Sequence, residues 1–166
     1  MTPRSCALAV VFVALLKHAG LSSQVQDSVA PDFLLKTLTG DTMRLSHFKG
    51  HPVFLNFWAT WCKPCRAEMG DIMAAYAARQ AAGLEVLAIN LTDQERMREV
   101  RTFVQELHLP FPVLLDQKGK VRKSYALRGV PTSVFIDTLG VVRLVNIGPI
   151  TRETLERGLN QILPSR

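Results

Sequence analysis

Among the 166 residues, Cys62 and Cys65 in the run Trp61-Cys62-Lys63-Pro64-Cys65 have the types and spacing that most directly suggest chemistry. They follow the apolar run from Val53 to Trp58, so the two thiols are expected on the first turn of a helix that begins where a buried strand ends. A helix N-terminus carries partial positive charge and unpaired N–H groups, which favour the thiolate over the thiol. The thiolate is the nucleophile. A second cysteine three residues on can then attack the mixed disulfide formed by the first, which makes the pair a reversible dithiol/disulfide switch. Half of a zinc site and an inert structural bridge are the two bland alternatives. Zinc needs two further ligands, and beyond the N-terminal segment only His47, His51 and His108 remain, none in a second metal-spaced pair.

The elements that must position this pair read from the apolar periodicity. Asp32–Leu38 and Thr42–Leu45 flank the turn dipeptide Gly40-Asp41 and predict a small hairpin. Val53–Trp58 is a continuous apolar run interrupted only by Asn56, as in a central buried strand. Helical spacing of Ala67, Met69, Ile72, Met73 and Tyr76 predicts a helix over Cys62–Gln80, ended by Gly83. Leu84–Leu91 reads as a second buried strand. Gln94–Leu107 reads as an amphipathic helix, Phe111–Leu115 as a third strand and Val121–Tyr125 as a helical turn. Thr132–Ile136 and Val141–Ile147 predict an antiparallel hairpin, and Thr151–Leu163 a closing helix with Thr151 as N-cap. This order predicts an α/β domain, a mixed sheet with helices on both faces.

Residues 1–23 read as an export signal or an N-terminal membrane anchor. Arg4 precedes the apolar stretch Cys6–Leu16, small residues follow at Ala19, Gly20, Ser22 and Ser23, and no acidic residue occurs before Asp27. That stretch is short for a membrane span, which favours cleavage. Residues 24–30 read as a tether and 31–166 as the domain. Cleavage would remove Cys6 and leave Cys62 and Cys65 alone, a pattern that in an oxidising compartment points to catalysis more than to stapling. The net charge is +6, and about +4 once Arg4 and Lys17 are discounted. Basic residues such as Arg96, Arg98, Arg101 and Lys120 alternate with Glu95, Glu99, Glu106 and Asp116, as on solvated faces, so no nucleic-acid partner is expected.

The segment Phe54-Leu55-Asn56-Phe57-Trp58-Ala59-Thr60-Trp61-Cys62-Lys63-Pro64-Cys65-Arg66-Ala67-Glu68, followed by Gly129-Val130-Pro131-Thr132, resembles the TlpA/ResA-like branch of the thioredoxin superfamily over residues 30–163. The resemblance implies a thioredoxin-like fold with an N-terminal hairpin and an inserted helix. It also implies a periplasmic or otherwise extracytoplasmic thiol:disulfide oxidoreductase, secreted or anchored to the inner membrane. Such a protein needs no cofactor and is often a reductant in cytochrome c maturation or metal-centre assembly. Its partners would be protein disulfides or dithiols and a membrane thiol electron donor.

Chemistry and resemblance together assign Cys62 as the attacking thiol, flanked by the cation of Lys63, and Cys65 as the resolving thiol. Pro64 fits an ordinary first-turn proline, and the resemblance gives Lys63 and Pro64 a part in tuning the redox poise. Trp61 can be core or a shield and partner contact beside the reactive thiol. Pro131 would be trans on sequence alone; the resemblance implies a cis bond that packs against the cysteines. Val130 then lines the substrate groove through its backbone, with Thr132 beside it.

Glu68, three residues past Cys65, shares its helix face and reads either as a solvated side chain or as a proton carrier. The carboxylate is characteristic of the branch, which favours the second. Asn56 stands where ordinary thioredoxins carry a buried aspartate, and an amide cannot relay protons, so that burden falls on Glu68. Gly70 replaces the helix-kinking proline of relatives, and His51 reads as a surface loop residue. Two other functions fit parts of the pattern. A thiol peroxidase would need one peroxidatic cysteine in its own activating pocket, and a copper metallochaperone would hold Cu(I) through both thiolates.

Overall fold

The computed structural model describes residues 26–163, so the export segment expected at 1–23 lies outside the described residues. Seven strands form one sheet: β1 (Leu34–Thr37), β2 (Thr42–Arg44), β3 (Val53–Trp58), β4 (Glu85–Asn90), β5 (Val113–Leu115), β6 (Thr132–Ile136) and β7 (Val142–Ile147). Four α-helices accompany them: α1 (Lys63–Arg79), α2 (Met97–Leu107), α3 (Lys120–Ser124) and α4 (Arg152–Ile162). The strand order is β2-β1-β5-β4-β3-β6-β7. β3, β4 and β5 run parallel, and the flanking strands are antiparallel.

β3 lies between β4 and β6, and every one of its residues is buried. Its alternation therefore feeds two cores. Phe54 and Trp58 face the cluster built by α1, α2 and α4 through Met69, Ile72, Val100, Phe103, Leu155 and Leu159. Leu55 and Phe57 face the opposite cluster, closed by Leu45, Val121 and Tyr125. Helices thus cover both faces, as the sequence predicts, with the three long ones together on the side that carries the cysteines.

Element ends follow local chemistry. Gly83, at φ 87°, ends the 3-10 turn Gln80–Ala82 that extends α1, a conformation glycine adopts without a Cβ penalty. His108 takes the same left-handed region to end α2, ahead of Pro110. Gly70 leaves α1 as one helix from Lys63 to Arg79. The 3-10 turn Thr92–Gln94 takes the start of the helix expected from Gln94, so α2 begins at Met97.

Part of the expected tether belongs to the folded unit. The Asp27 N–H donates to the Val142 carbonyl at 2.7 Å, the Ala30 N–H to Gly140 at 2.9 Å, and Val29 bridges Val141. These backbone pairs attach residues 27–30 to the last hairpin, a long-range pairing with no local pattern.

One glycine is fixed by packing. A Cβ on Gly158 would come within 2.5 Å of the Phe135 ring, which is wholly buried and tilted against Phe54 with ring centroids 4.8 Å apart. Alanine would gain up to about 1 kcal/mol in helix propensity, and overpacking against a trapped ring costs about 1–3 kcal/mol. Urea unfolding of Gly158→Ala is expected to show a lowered midpoint; an unchanged or raised midpoint would mean that α4 shifts freely on the sheet.

Candidate active site

β3 ends at the fully buried Trp58, and the chain then turns through Ala59–Trp61 into α1. That turn is held from outside. The Thr60 N–H donates to both carboxylate oxygens of Glu95, at 3.2 and 3.0 Å, and the Thr60 hydroxyl bonds the same group. Asn90 Nδ2 also donates to Glu95, and Asn90 Oδ1 accepts from the Thr92 hydroxyl at 2.8 Å. Sequence reasoning placed Glu95 on a solvated face. Its partners lie on the strand ends β3 and β4, so only the parallel pairing of those strands reveals the clasp.

Cys62 is the N-cap of α1, in extended backbone geometry, and its Sγ accepts the Cys65 N–H at 3.2 Å. Pro64 occupies the first turn, where its missing N–H is not needed. Cys62 and Cys65 are joined as a disulfide with Cα atoms 5.3 Å apart. Cys62 is 4% exposed and Cys65 fully buried, which leaves Cys62 as the sulfur a partner can approach. Lys63 and Pro64 are exposed, and Trp61, the residue before Cys62, is 57% exposed. Arg66 lies 4.4 Å above the Phe103 ring and pairs with Glu106 at 3.0 Å.

Antiparallel pairing sets Thr132 opposite Phe57, so the loop before β6 arrives at the same sheet end as the cysteines. The Val130–Pro131 bond is cis, as the resemblance implies. The Thr132 hydroxyl donates to the Gly129 carbonyl at 2.8 Å, and the Gly148 N–H to the Pro131 carbonyl at 2.9 Å. Val130 packs against the cluster that contains both cysteines. Its own N–H and C=O meet no partner among the described residues, which leaves the backbone of this bend open. Thr132 itself is buried, so it shapes this loop from beneath.

Glu68 is the buried charge of the site. It is 5% exposed, Oε1 accepts from Asn56 Nδ2 at 2.9 Å, and Oε2 accepts the Ile150 N–H at 3.0 Å. Burial pushes its carboxyl above the ordinary value, and the bonds from Ile150 and Asn56 offset that only in part. The solvated alternative for Glu68 does not hold. His51, by contrast, is exposed in the loop before β3. No group of three or more His, Cys, Asp or Glu side chains is gathered for a metal among the described residues.

A family model of AhpC/TSA proteins matches residues 27–145. The chain belongs to the AhpC/TSA family. It is 39% identical over 137 residues to the thiol-disulfide oxidoreductase ResA of Geobacillus kaustophilus, covering 82% of this chain and 78% of the relative. It is 42% identical over 145 residues to the thioredoxin-like protein YneN of Bacillus subtilis, covering 87% and 82%. The crystal structure of StoA from Bacillus subtilis superposes with a TM-score of 0.68 at 32% identity, over 78% of this chain and 97% of that one. The fold is thioredoxin-like and the protein is a ResA-like thiol:disulfide oxidoreductase, with the two cysteines of that chemistry bonded to each other.

The raised Glu68 carboxyl links stability to pH. The folded protein keeps this proton to higher pH than the unfolded chain does, whose value is near 4.5. Glu68 therefore supports stability fully below 4.5, and that contribution is lost as pH rises through the higher folded value. Urea midpoints of the oxidised protein are expected to fall over that window relative to those of Glu68→Gln. Parallel curves for the two proteins would show that the carboxyl ionises in the fold as freely as in the open chain.

Proposed function

We propose that this oxidoreductase acts outside the cytoplasm as a reductant of protein disulfides, replenished by a membrane thiol donor. The observation that carries the reading is the placement of the Cys62–Cys65 pair, almost wholly buried and sharing a helix face with the buried Glu68. A buried site beside a carboxyl group disfavours thiolate, and whatever disfavours the reduced form makes the couple more reducing. The helix N-terminus acts the other way and keeps Cys62 nucleophilic. The extracytoplasmic setting is supported by the charged and apolar pattern of residues 1–23.

In the reduced protein the Cys62 thiolate attacks one sulfur of the substrate disulfide. That S–S bond breaks, a Cys62–substrate disulfide forms, and the first substrate sulfur leaves as thiolate and takes a proton. Glu68 receives the proton of Cys65, whose thiolate then attacks Cys62 Sγ. The second substrate sulfur departs and is protonated in turn. The substrate has gained two electrons from the cysteine pair and two protons, one from water for the first sulfur and one from Cys65 by way of Glu68 for the second, and a donor dithiol restores the pair by the reverse exchange.

The open Val130 N–H and C=O fit an extended substrate segment laid across the cis-proline loop, a short strand addition that holds the target disulfide near Cys62. Trp61 covers the other side. Lys63 and Pro64, exposed between the two sulfurs, set the poise of the pair. A lone peroxidatic cysteine is not the arrangement here, because Cys62 has its resolving partner within one helical turn.

Cys65→Ser is expected to trap a mixed disulfide through Cys62 with a disulfide-bonded peptide, and Cys62→Ser to trap none. The reverse outcome would exchange the two roles. The reduction potential of the pair is expected near that of thioredoxin, roughly −270 mV, whereas a value near −120 mV would make the protein an oxidant.

A further inference from the structure

Asn56 is 1% exposed at the centre of β3, and one end of its amide is idle. Nδ2 donates to Glu68 Oε1 at 2.9 Å and lies 3.4 Å from Ser133 Oγ, while Oδ1 has no partner among the described residues. An unused buried acceptor costs about 1–3 kcal/mol, so packing alone does not account for an amide here. Its two ends are nearly equal in size and opposite in hydrogen-bonding sense, so a half-turn of the amide needs no extra space. After that turn, Oδ1 stands where Nδ2 was, ready to accept the O–H of a neutral Glu68, and the Ser133 hydroxyl can donate to it. One amide end is idle in either orientation, so the turn sacrifices no third hydrogen bond.

We propose that Asn56 is a positioning switch whose side-chain amide turns over as Glu68 gains or loses its proton, offering N–H to the carboxylate and C=O to the acid. The inference rests on the reading that Glu68 changes protonation while the cysteines react. Burial makes both forms accessible, since it opposes the ionised one. The groups that face Glu68 are Asn56 from β3, the Ile150 N–H from the segment before α4, and Cys65 one turn back on α1. Ser133 on β6 stands behind Asn56. The charged residues on the flanking helices, Asp71 on α1 and Arg152 on α4, pair with each other at 2.7 Å. A fixed amide would favour one form of Glu68, and a switching one holds the carboxyl group in place through both.

The test is a side-chain NMR titration of the full-length protein in its disulfide and dithiol forms. The Asn56 amide resonances are expected to shift with the same midpoint as the Glu68 carboxyl carbon, and to lose that transition in Glu68→Gln. Asn56 signals that stay flat through the Glu68 transition would overturn the proposal. A Glu68→Gln protein with unaltered exchange rates would count against proton transfer alone, because the coupled NMR transition is read independently. Asn56→Leu supplies a second measurement: a switching amide bonds both forms of Glu68, so its loss should move the Glu68 midpoint by less than about tenfold, whereas loss of a fixed donor to the carboxylate alone would raise it about tenfold or more. A rise of about tenfold or more in that variant would also overturn the switch.

Discussion

The hydrogen bonds to the buried Glu68 carboxyl tie the site together. One oxygen takes Asn56 on the central strand and the other takes the backbone of Ile150, 82 residues further along the chain. Sheet, thiol helix and the segment leading into the C-terminal helix therefore meet at one ionisable group. A carboxyl in that position is held away from water, so its proton is retained higher than usual and is available to sulfurs on the same helix face. In the proposed mechanism the group that organises the junction is also the one that carries the proton.

The sheet turns this junction into a site by bringing two loops to one end. Parallel pairing of β3 with β4 puts Glu95 within reach of Thr60, which fixes the turn leading into Cys62. Antiparallel pairing of β3 with β6 delivers Val130 and the cis Pro131 to the same end. Reactive sulfur and open backbone edge are carried by neighbouring strands, so their relation depends on ladder hydrogen bonds more than on loop conformation. That rigidity suits a reaction in which a partner must be oriented and then released.

Much of this was legible in the residues themselves because it is local. The strand Val53–Trp58 ends where its apolar run ends, and Cys62 caps the helix that Pro64 starts. The first hairpin follows its turn dipeptide, Gly40-Asp41. Other features depend on partners far along the chain. Spacing placed Glu68 on the face of Cys65, but its burial depends on Ile150 closing over it. Glu95 resembles the other charges on its segment until Asn90 and Thr60 are brought to it. Two tryptophans three residues apart diverge completely: Trp58 stacks on Phe103 in the core and Trp61 faces outward. Residues 27–30 carry no strand pattern, and their attachment comes from a hairpin over a hundred residues later.

The central claim is that Glu68 exchanges a proton with the thiol pair as the cysteines react. The direct measurement is the rate of thiol-disulfide exchange against pH for the wild type and for Glu68→Gln, with a disulfide-bonded peptide as substrate. An inflection above the ordinary carboxyl range, present in the wild type and absent in the variant, is the predicted result. Superimposable profiles would contradict the account and leave Glu68 as a structural tie alone.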